Sequence, residues 1–197
     1  MNCKTTVEFD NVDSMGRAFE VGDVISFDLL DGEHMEAMAV KEEGCLVIFC
    51  AVDCLEKEYP FKRDGNIKGG YEASDLREAL NTTILRRFPE ELVKRMVPFQ
   101  NGDLLRIPTE KEIFGENEYG ENEPDDVTQW EPMKLRRNRI AFQGHNGPME
   151  VYWLQNRLRD VVSAARFAHV GSAGYCNYSG AGSSWIGVRP AFKIQNL

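Results

Sequence analysis

Cys45-Leu46-Val47-Ile48-Phe49-Cys50-Ala51-Val52 carries no polar side chain apart from its thiols. A strand sends successive side chains to opposite faces, so a run apolar at every position needs cover on both sides. This run therefore predicts a central, fully buried strand. Just upstream, Val24-Ile25-Ser26-Phe27-Asp28-Leu29 alternates, with Ile25, Phe27 and Leu29 inward. Asp31-Gly32 is a two-residue hairpin signal, a return strand fits residues 35–40, and Glu42-Glu43-Gly44 turns into the buried run. These pieces predict an antiparallel meander.

Helices follow the meander. Ser74 is placed to cap a helix whose first turn holds Asp75, with Leu76, Ala79, Leu80 and Ile84 at helical spacing. Pro89 stands at the first position of a second helix, with Leu92, Val93, Met96 and Val97 as its apolar face and Pro98 beyond it. Thr109-Glu110-Lys111-Glu112 is a capping box before a third, short helix that Gly115 stops. A strand is expected over 139–142, a turn over 144–148, and strands at Tyr152-Trp153-Leu154, Ala165-Arg166-Phe167-Ala168-His169-Val170 and Trp185-Ile186-Gly187-Val188-Arg189-Pro190-Ala191-Phe192-Lys193-Ile194. The fold class is α+β, a single compact domain over 20–197. Residues 1–19 are polar and aperiodic and read as a flexible arm, with one edge strand over 5–9.

A length of 197 residues fits one domain, and a net charge of -9 argues against a partner held through phosphates. The basic stretch Lys134-Leu135-Arg136-Arg137-Asn138-Arg139 is too short to reverse that and reads as a solvated strand or turn. No apolar run approaches the roughly 20 residues that span a bilayer, so no membrane insertion is expected. The first ten residues lack the apolar middle of a signal peptide, which predicts a cytoplasmic location, with association with a virion as the alternative. Cys3, Cys45, Cys50, Cys54 and Cys176 are an odd set with no pair at metal-ligand spacing. Cys45, Cys50 and Cys54 read as small buried hydrophobes. Residues 116–126 are acidic with Asn, Gly and Pro; the alternatives are a solvated loop and a calcium loop.

The segment from Gly171 to Ser184 has no charged residue and almost no aliphatic one. Gly, Ser and Asn beside Tyr and Trp is the composition of a binding loop, in which rigid aromatics supply contact area and small polar residues adaptable hydrogen bonds. The segment reads as a surface loop held between two strands. His169, Tyr175, Asn177, Tyr178, Ser183, Ser184 and Trp185 are the expected ligand-binding residues, whereas Arg166 and Arg189 read as structural anchors. No nucleophile elbow, phosphate cradle or two-His motif is present. Cys176 with His169 as base is the one candidate nucleophilic pair, without an orienting third group. No enzyme, cofactor or metal site is expected.

Taken in order, several of these stretches resemble the bacterial and prophage-encoded proteins grouped as domain-of-unknown-function family 6273. The pieces are Val21-Gly22-Asp23-Val24-Ile25-Ser26-Phe27, then Tyr71, Ser74, Leu76, Arg77, Leu80 and Asn81, then Ile107-Pro108-Thr109-Glu110-Lys111-Glu112. Tyr152-Trp153-Leu154, Ala165-Arg166-Phe167 and Gly187-Val188-Arg189-Pro190-Ala191-Phe192 complete them. The resemblance covers about 21–115 and 133–194, and departs at Gln155-Asn156-Arg157, where the family continues with Arg-Ser-Pro. Trp153 and Gly187-Val188-Arg189 also resemble the C-type lectin-like domain of the formylglycine-generating-enzyme type. That resemblance implies a terminal strand pairing back near the start and irregular loops forming a binding face. Some phage and bacterial members are diversified by retroelements at adenine-rich codons, and the residues from His169 to Trp185 have the composition this favours. The enzyme branch uses a cysteine pair near its C-terminus, where only Cys176 is available here. The implied function is a ligand-binding domain for a protein or glycan; the alternatives are a structural or assembly protein of a prophage particle and a Cys-dependent enzyme.

Overall fold

The structure, a computed structural model, describes residues 6–8 (as backbone), 18–66, 68–159 and 166–196. The rest of the expected arm and Ala165 lie outside the described residues.

The meander forms as the alternation requires. β1 (Thr6–Glu8), β2 (Val24–Asp28), β3 (His34–Glu43), β4 (Leu46–Ala51) and, far along the chain, β10 (Ala191–Gln195) make one sheet in the order β1-β2-β3-β4-β10. β1 lies parallel to β2, and the other ladders are antiparallel. The β2–β3 connection differs from the expected two-residue hairpin. Leu29 N–H donates to Glu33 O and Gly32 N–H to Leu29 O, with Gly32 at φ 89°. This is a three-residue loop, a type I turn completed by a left-handed glycine. Cys45 sits exposed in the next turn rather than buried.

β4 has an apolar partner on each face. Val47, Phe49 and Ala51 enter one core with Ile25, Phe27 and Phe192; Ile48 and Cys50 enter a second core with Ile113, Trp130 and Tyr152. A bulge between Ala39 and Lys41 turns Val40 into that second core. The first core is roofed by α1 (Asp75–Ala79), which runs on through a π turn (Leu80–Ile84) and a 3-10 turn (Leu85–Arg87), and by α2 (Glu90–Arg95). Ser74 caps α1 by accepting from Arg77 N–H at 3.0 Å. Pro89 is the cap of α2 rather than its first residue. α3 (Glu110–Phe114) carries the expected capping box and ends at Gly115, φ 86°. The basic stretch 134–139 forms 3-10 turns, not a strand. The strand expected over 139–142 shrinks to β5 (Ala141–Phe142), paired with β6 (Met149–Glu150).

The third sheet is β7 (Tyr152–Arg157), β8 (Arg166–Val170) and β9 (Cys176–Gly180), in that order. Among the described residues the chain is an α+β fold of three short α-helices and mainly antiparallel sheets that curl into a half-barrel. Residues 186–190 join the sheets: Gly187 exchanges backbone hydrogen bonds with Val151 and Trp153, and Leu55 N–H reaches Val188 O. Arg189 anchors this junction from inside, donating Nε to Ala51 O (2.6 Å) and Nη1 to Asn138 O and the Tyr152 hydroxyl (3.0 Å each). The end of β10 is tied back to the start of the domain, where Phe19 N–H donates to Asn196 Oδ1 and Asn196 Nδ2 to Phe19 O. No helix among the described residues is long and apolar enough to cross a membrane.

Candidate functional site

Gly171 to Ser184 is not one loop. Gly171 N–H donates to Tyr175 O and Gly174 N–H to Gly171 O, closing a tight turn with Gly174 at φ 77°. The left-handed backbone favours glycine there, and a Cβ on Gly174 would stand 3.1 Å from Arg136 O and 3.2 Å from Ile140 Cγ1, so its neighbours would have to give by a few tenths of an ångström. The chain then returns as β9, the outer strand of its sheet, with Phe167 opposite Ser179, Ala168 opposite Tyr178, His169 opposite Asn177 and Val170 opposite Cys176.

Opposed residues share a face, and this register divides the expected site. His169 and Asn177 share the face of Trp153. His169 meets Trp153 and Trp185 edge-on, both at 6.4 Å between ring centroids. Trp185 is 53% exposed, whereas His169 is 4% exposed and lies beneath it. Burial holds the imidazole pKa below its ordinary value, and Nδ1 has no hydrogen-bond partner. His169 therefore supports this face as a neutral ring and does not line its surface. Ser183, half-buried, and Ser184, exposed, lie in the turn just before Trp185, where Ser183 N–H donates to Gly180 O.

Tyr178 and Cys176 share the opposite face. Tyr178 packs edge-on against Tyr119 at 5.2 Å, and the Arg166 guanidinium lies 5.2 Å from its ring centre. Arg166 is exposed and touches the candidate surface, where an internal anchor was expected; Arg189 alone has the anchoring role. Tyr175, at the hairpin end, points to Arg136, which donates to its hydroxyl and stacks at 5.0 Å. The seven residues thus form an Asn177/Trp185 side over His169, a Tyr178 side and a Tyr175 tip, all reached from the rim of β9.

Glu110 fixes the Tyr178 side from below. Its fully buried carboxylate accepts from the N–H groups of Glu118 (3.0 Å), Tyr119 (2.9 Å) and Gly120 (2.8 Å), and from the Cys176 thiol at 3.0 Å. Burial first, and then this carboxylate, push the Cys176 pKa well above its ordinary value. Glu123 is likewise turned inward, accepting from Lys111 N–H and the side-chain amides of Asn117 and Asn156. The acidic segment therefore folds around Glu110, both of whose oxygens are taken by protein donors, and around Glu123, whose Oε1 is taken in the same way while its buried Oε2 has no partner among the described residues. Among the described residues no cluster of three His, Cys, Asp or Glu is arranged to hold a metal ion.

Sequence reasoning missed Tyr119, Arg136 and Glu110. Tyr119 was visible as the lone aromatic of a polar stretch. Glu110 hides inside a capping box, where an acidic residue needs no further explanation. No protein-family model matches the chain, and no curated protein or solved structure was found to be similar to it.

Proposed function

We propose that this chain is a non-catalytic binding domain of bacterial or prophage origin, which takes a protein or glycan ligand along β9 and the turn after it. The observation that carries this reading is exposed aromatic area on an uncharged edge. Tyr175, Tyr178 and Trp185 are 58%, 36% and 53% exposed, and no charged residue occurs between Arg166 and Arg189 in a chain that is 28% charged. Exposed Tyr and Trp on a rigid strand are the usual anchors of a recognition surface, because their area is immobilised at little entropic cost. His169 beneath Trp185 and Tyr119 behind Tyr178 hold two of the three rings in place before a ligand arrives. A thiol that donates to a buried carboxylate and has a raised pKa supplies no thiolate, which argues against the Cys176 enzyme.

The test is a glycan and peptide array probed with the wild type and with the Y175A/Y178A/W185A variant. Loss of each anchoring aromatic costs about 2 kcal/mol of binding, so the triple variant loses its signal while its thermal unfolding stays near that of the wild type. Loss of the fold in that variant would make these rings core and end the proposal. The assembly reading has one observation in its favour. β9 has no paired neighbour on its outer side among the described residues and carries no Lys or Pro to block one. Sedimentation at micromolar concentration separates the two readings, since pairing of copies through β9 would appear as a dimer that a Tyr178→Pro substitution abolishes. Diversification of the residues from His169 to Trp185 is tested in the DNA, by a near-copy of this stretch differing at adenines beside a reverse-transcriptase gene.

A further inference from the structure

We propose that a cleft between residues 99–101, the start of α3 and β10 is a second site, for a small organic anion bearing a carboxylate or phosphate. The cleft encloses about 360 Å³, within the roughly 300–1,000 Å³ of small-molecule pockets and too small for a macromolecular surface. It is built from separate segments: Phe99 to Asn101, Arg106, the start of α3, Gln155 of β7 and Lys193 of β10.

The charges lining it are unequally satisfied. Glu112 is gripped at both oxygens by Arg106, at 2.5 and 2.7 Å, and also accepts from Thr109 N–H. Glu72 is held by Arg77 at 2.6 Å, and Glu43 by Lys41 at 3.0 Å. Lys193 is different. Its side chain is almost entirely buried, yet its ammonium has no hydrogen-bond acceptor among the described residues. Its nearest carboxylate oxygen, on Glu43, is 3.9 Å away, and it otherwise lies 5.2 Å from the centre of the Phe99 ring. The stem of Lys193 is packed away, but the nitrogen itself is not sealed from solvent, so its donors are open to a solute that enters the cleft. The cleft beside it has the room, and the neighbouring side-chain amides of Gln100, Asn101 and Gln155 complete a polar lining. An anion entering there meets the one cation of the cleft whose charge no carboxylate already holds closely.

The site shares no residue with the β9 surface, so either proposal can fail alone. The test is an amide-resolved NMR titration of the whole chain with benzoate, with inorganic phosphate and with benzylamine as the cationic control. Benzoate or phosphate is expected to move the Asn101, Arg106 and Lys193 amides with a dissociation constant on the order of 1 mM, as befits so small a probe. The stronger of the two identifies the anion class. Lys193→Met weakens that response about tenfold, the effect of losing one charge-assisted contact. Glu43→Gln, a half-exposed change that leaves the fold intact, strengthens it severalfold. The proposal is overturned if neither anion moves these amides, if benzylamine binds better than both, or if neither substitution changes the response.

Discussion

Replacing Glu110 by Gln changes one oxygen to an amide nitrogen and leaves the shape almost unchanged. In the wild type, Oε1 accepts from Glu118 N–H, Tyr119 N–H and the Cys176 thiol, and Oε2 accepts from Gly120 N–H. Whichever way the glutamine amide turns, its NH2 group faces at least one backbone N–H that has lost its acceptor. The better orientation keeps the carbonyl on the Oε1 side and orphans Gly120, next to a site where even a Cβ on Gly120 would stand 2.4 Å from Glu110 Oε2, so no water fits between. One buried orphaned donor costs about 1–3 kcal/mol, and weakening the remaining charge-assisted bonds to neutral ones adds about 1 kcal/mol. The expected destabilisation is about 2–4 kcal/mol, a large fraction of the ~5–15 kcal/mol that holds a domain together. Urea unfolding followed by tryptophan fluorescence measures it, with the slope m unchanged. The same substitution removes the negative charge beside Cys176, so its thiol alkylates faster than in the wild type. A loss below about 0.5 kcal/mol, the usual scatter of surface substitutions, would refute the assignment of Glu110 as the organiser of the acidic loop.

Other consequences are testable without a ligand. Iodoacetamide at mildly alkaline pH should label Cys45, exposed in its turn, well before Cys176, Cys50 or Cys54; mass spectrometry showing Cys176 modified first would contradict its raised pKa. His169 should titrate below its ordinary 6.5 because burial disfavours the imidazolium. With the folded pKa below the unfolded one, the folded state is unpenalised above about 6.5 and loses stability as pH falls from there through the folded value. His169→Phe should lack this component, and equal pH dependence of the two proteins across that window would remove the assignment. Arg189→Lys should cost about 3 kcal/mol or more in thermal unfolding, because an ammonium cannot reach Ala51 O, Asn138 O and the Tyr152 hydroxyl together. A shift in midpoint too small to detect would mean that the junction does not depend on the guanidinium.

The parts of the fold legible in the sequence are those fixed by local pattern. Ile25, Phe27 and Leu29 alternate, Cys50 and Ile48 accompany Val47 and Phe49, and the Thr109–Glu112 box caps its helix; each signal lies within a few residues of its effect. Gly32 misled because a hairpin glycine serves both two- and three-residue loops, and only the backbone partners of Leu29 distinguish them. β9 was illegible because its side chains pack little: Asn177, Tyr178 and Ser179 have no periodic apolar signal, and the strand exists through its backbone pairing to β8. The division of the seven candidate residues between two faces follows from that register and could not precede it. Neither Glu110 nor Lys193 has a local signature: Glu110 is read only through the backbone of the loop at 118–120 and the distant Cys176 thiol, and Lys193 through Glu43 and Phe99 on remote segments.

The position of β10 governs when this protein can fold. Ala191 to Gln195 pair with Cys50 to Leu46, and the far side of β10 is closed by bridges from Met96 and Arg106. A nascent chain therefore carries β4, its most apolar strand, with one ladder edge open until residue 195 leaves the ribosome. At ~5–20 residues per second that delay is roughly 7–30 s. During it the strand is a template for pairing with other chains and a natural point of hold by a chaperone. A stop codon shortly before Pro190 would accordingly leave not a shortened protein but an unclosed one, cleared or aggregated although β1 to β4 had all been made.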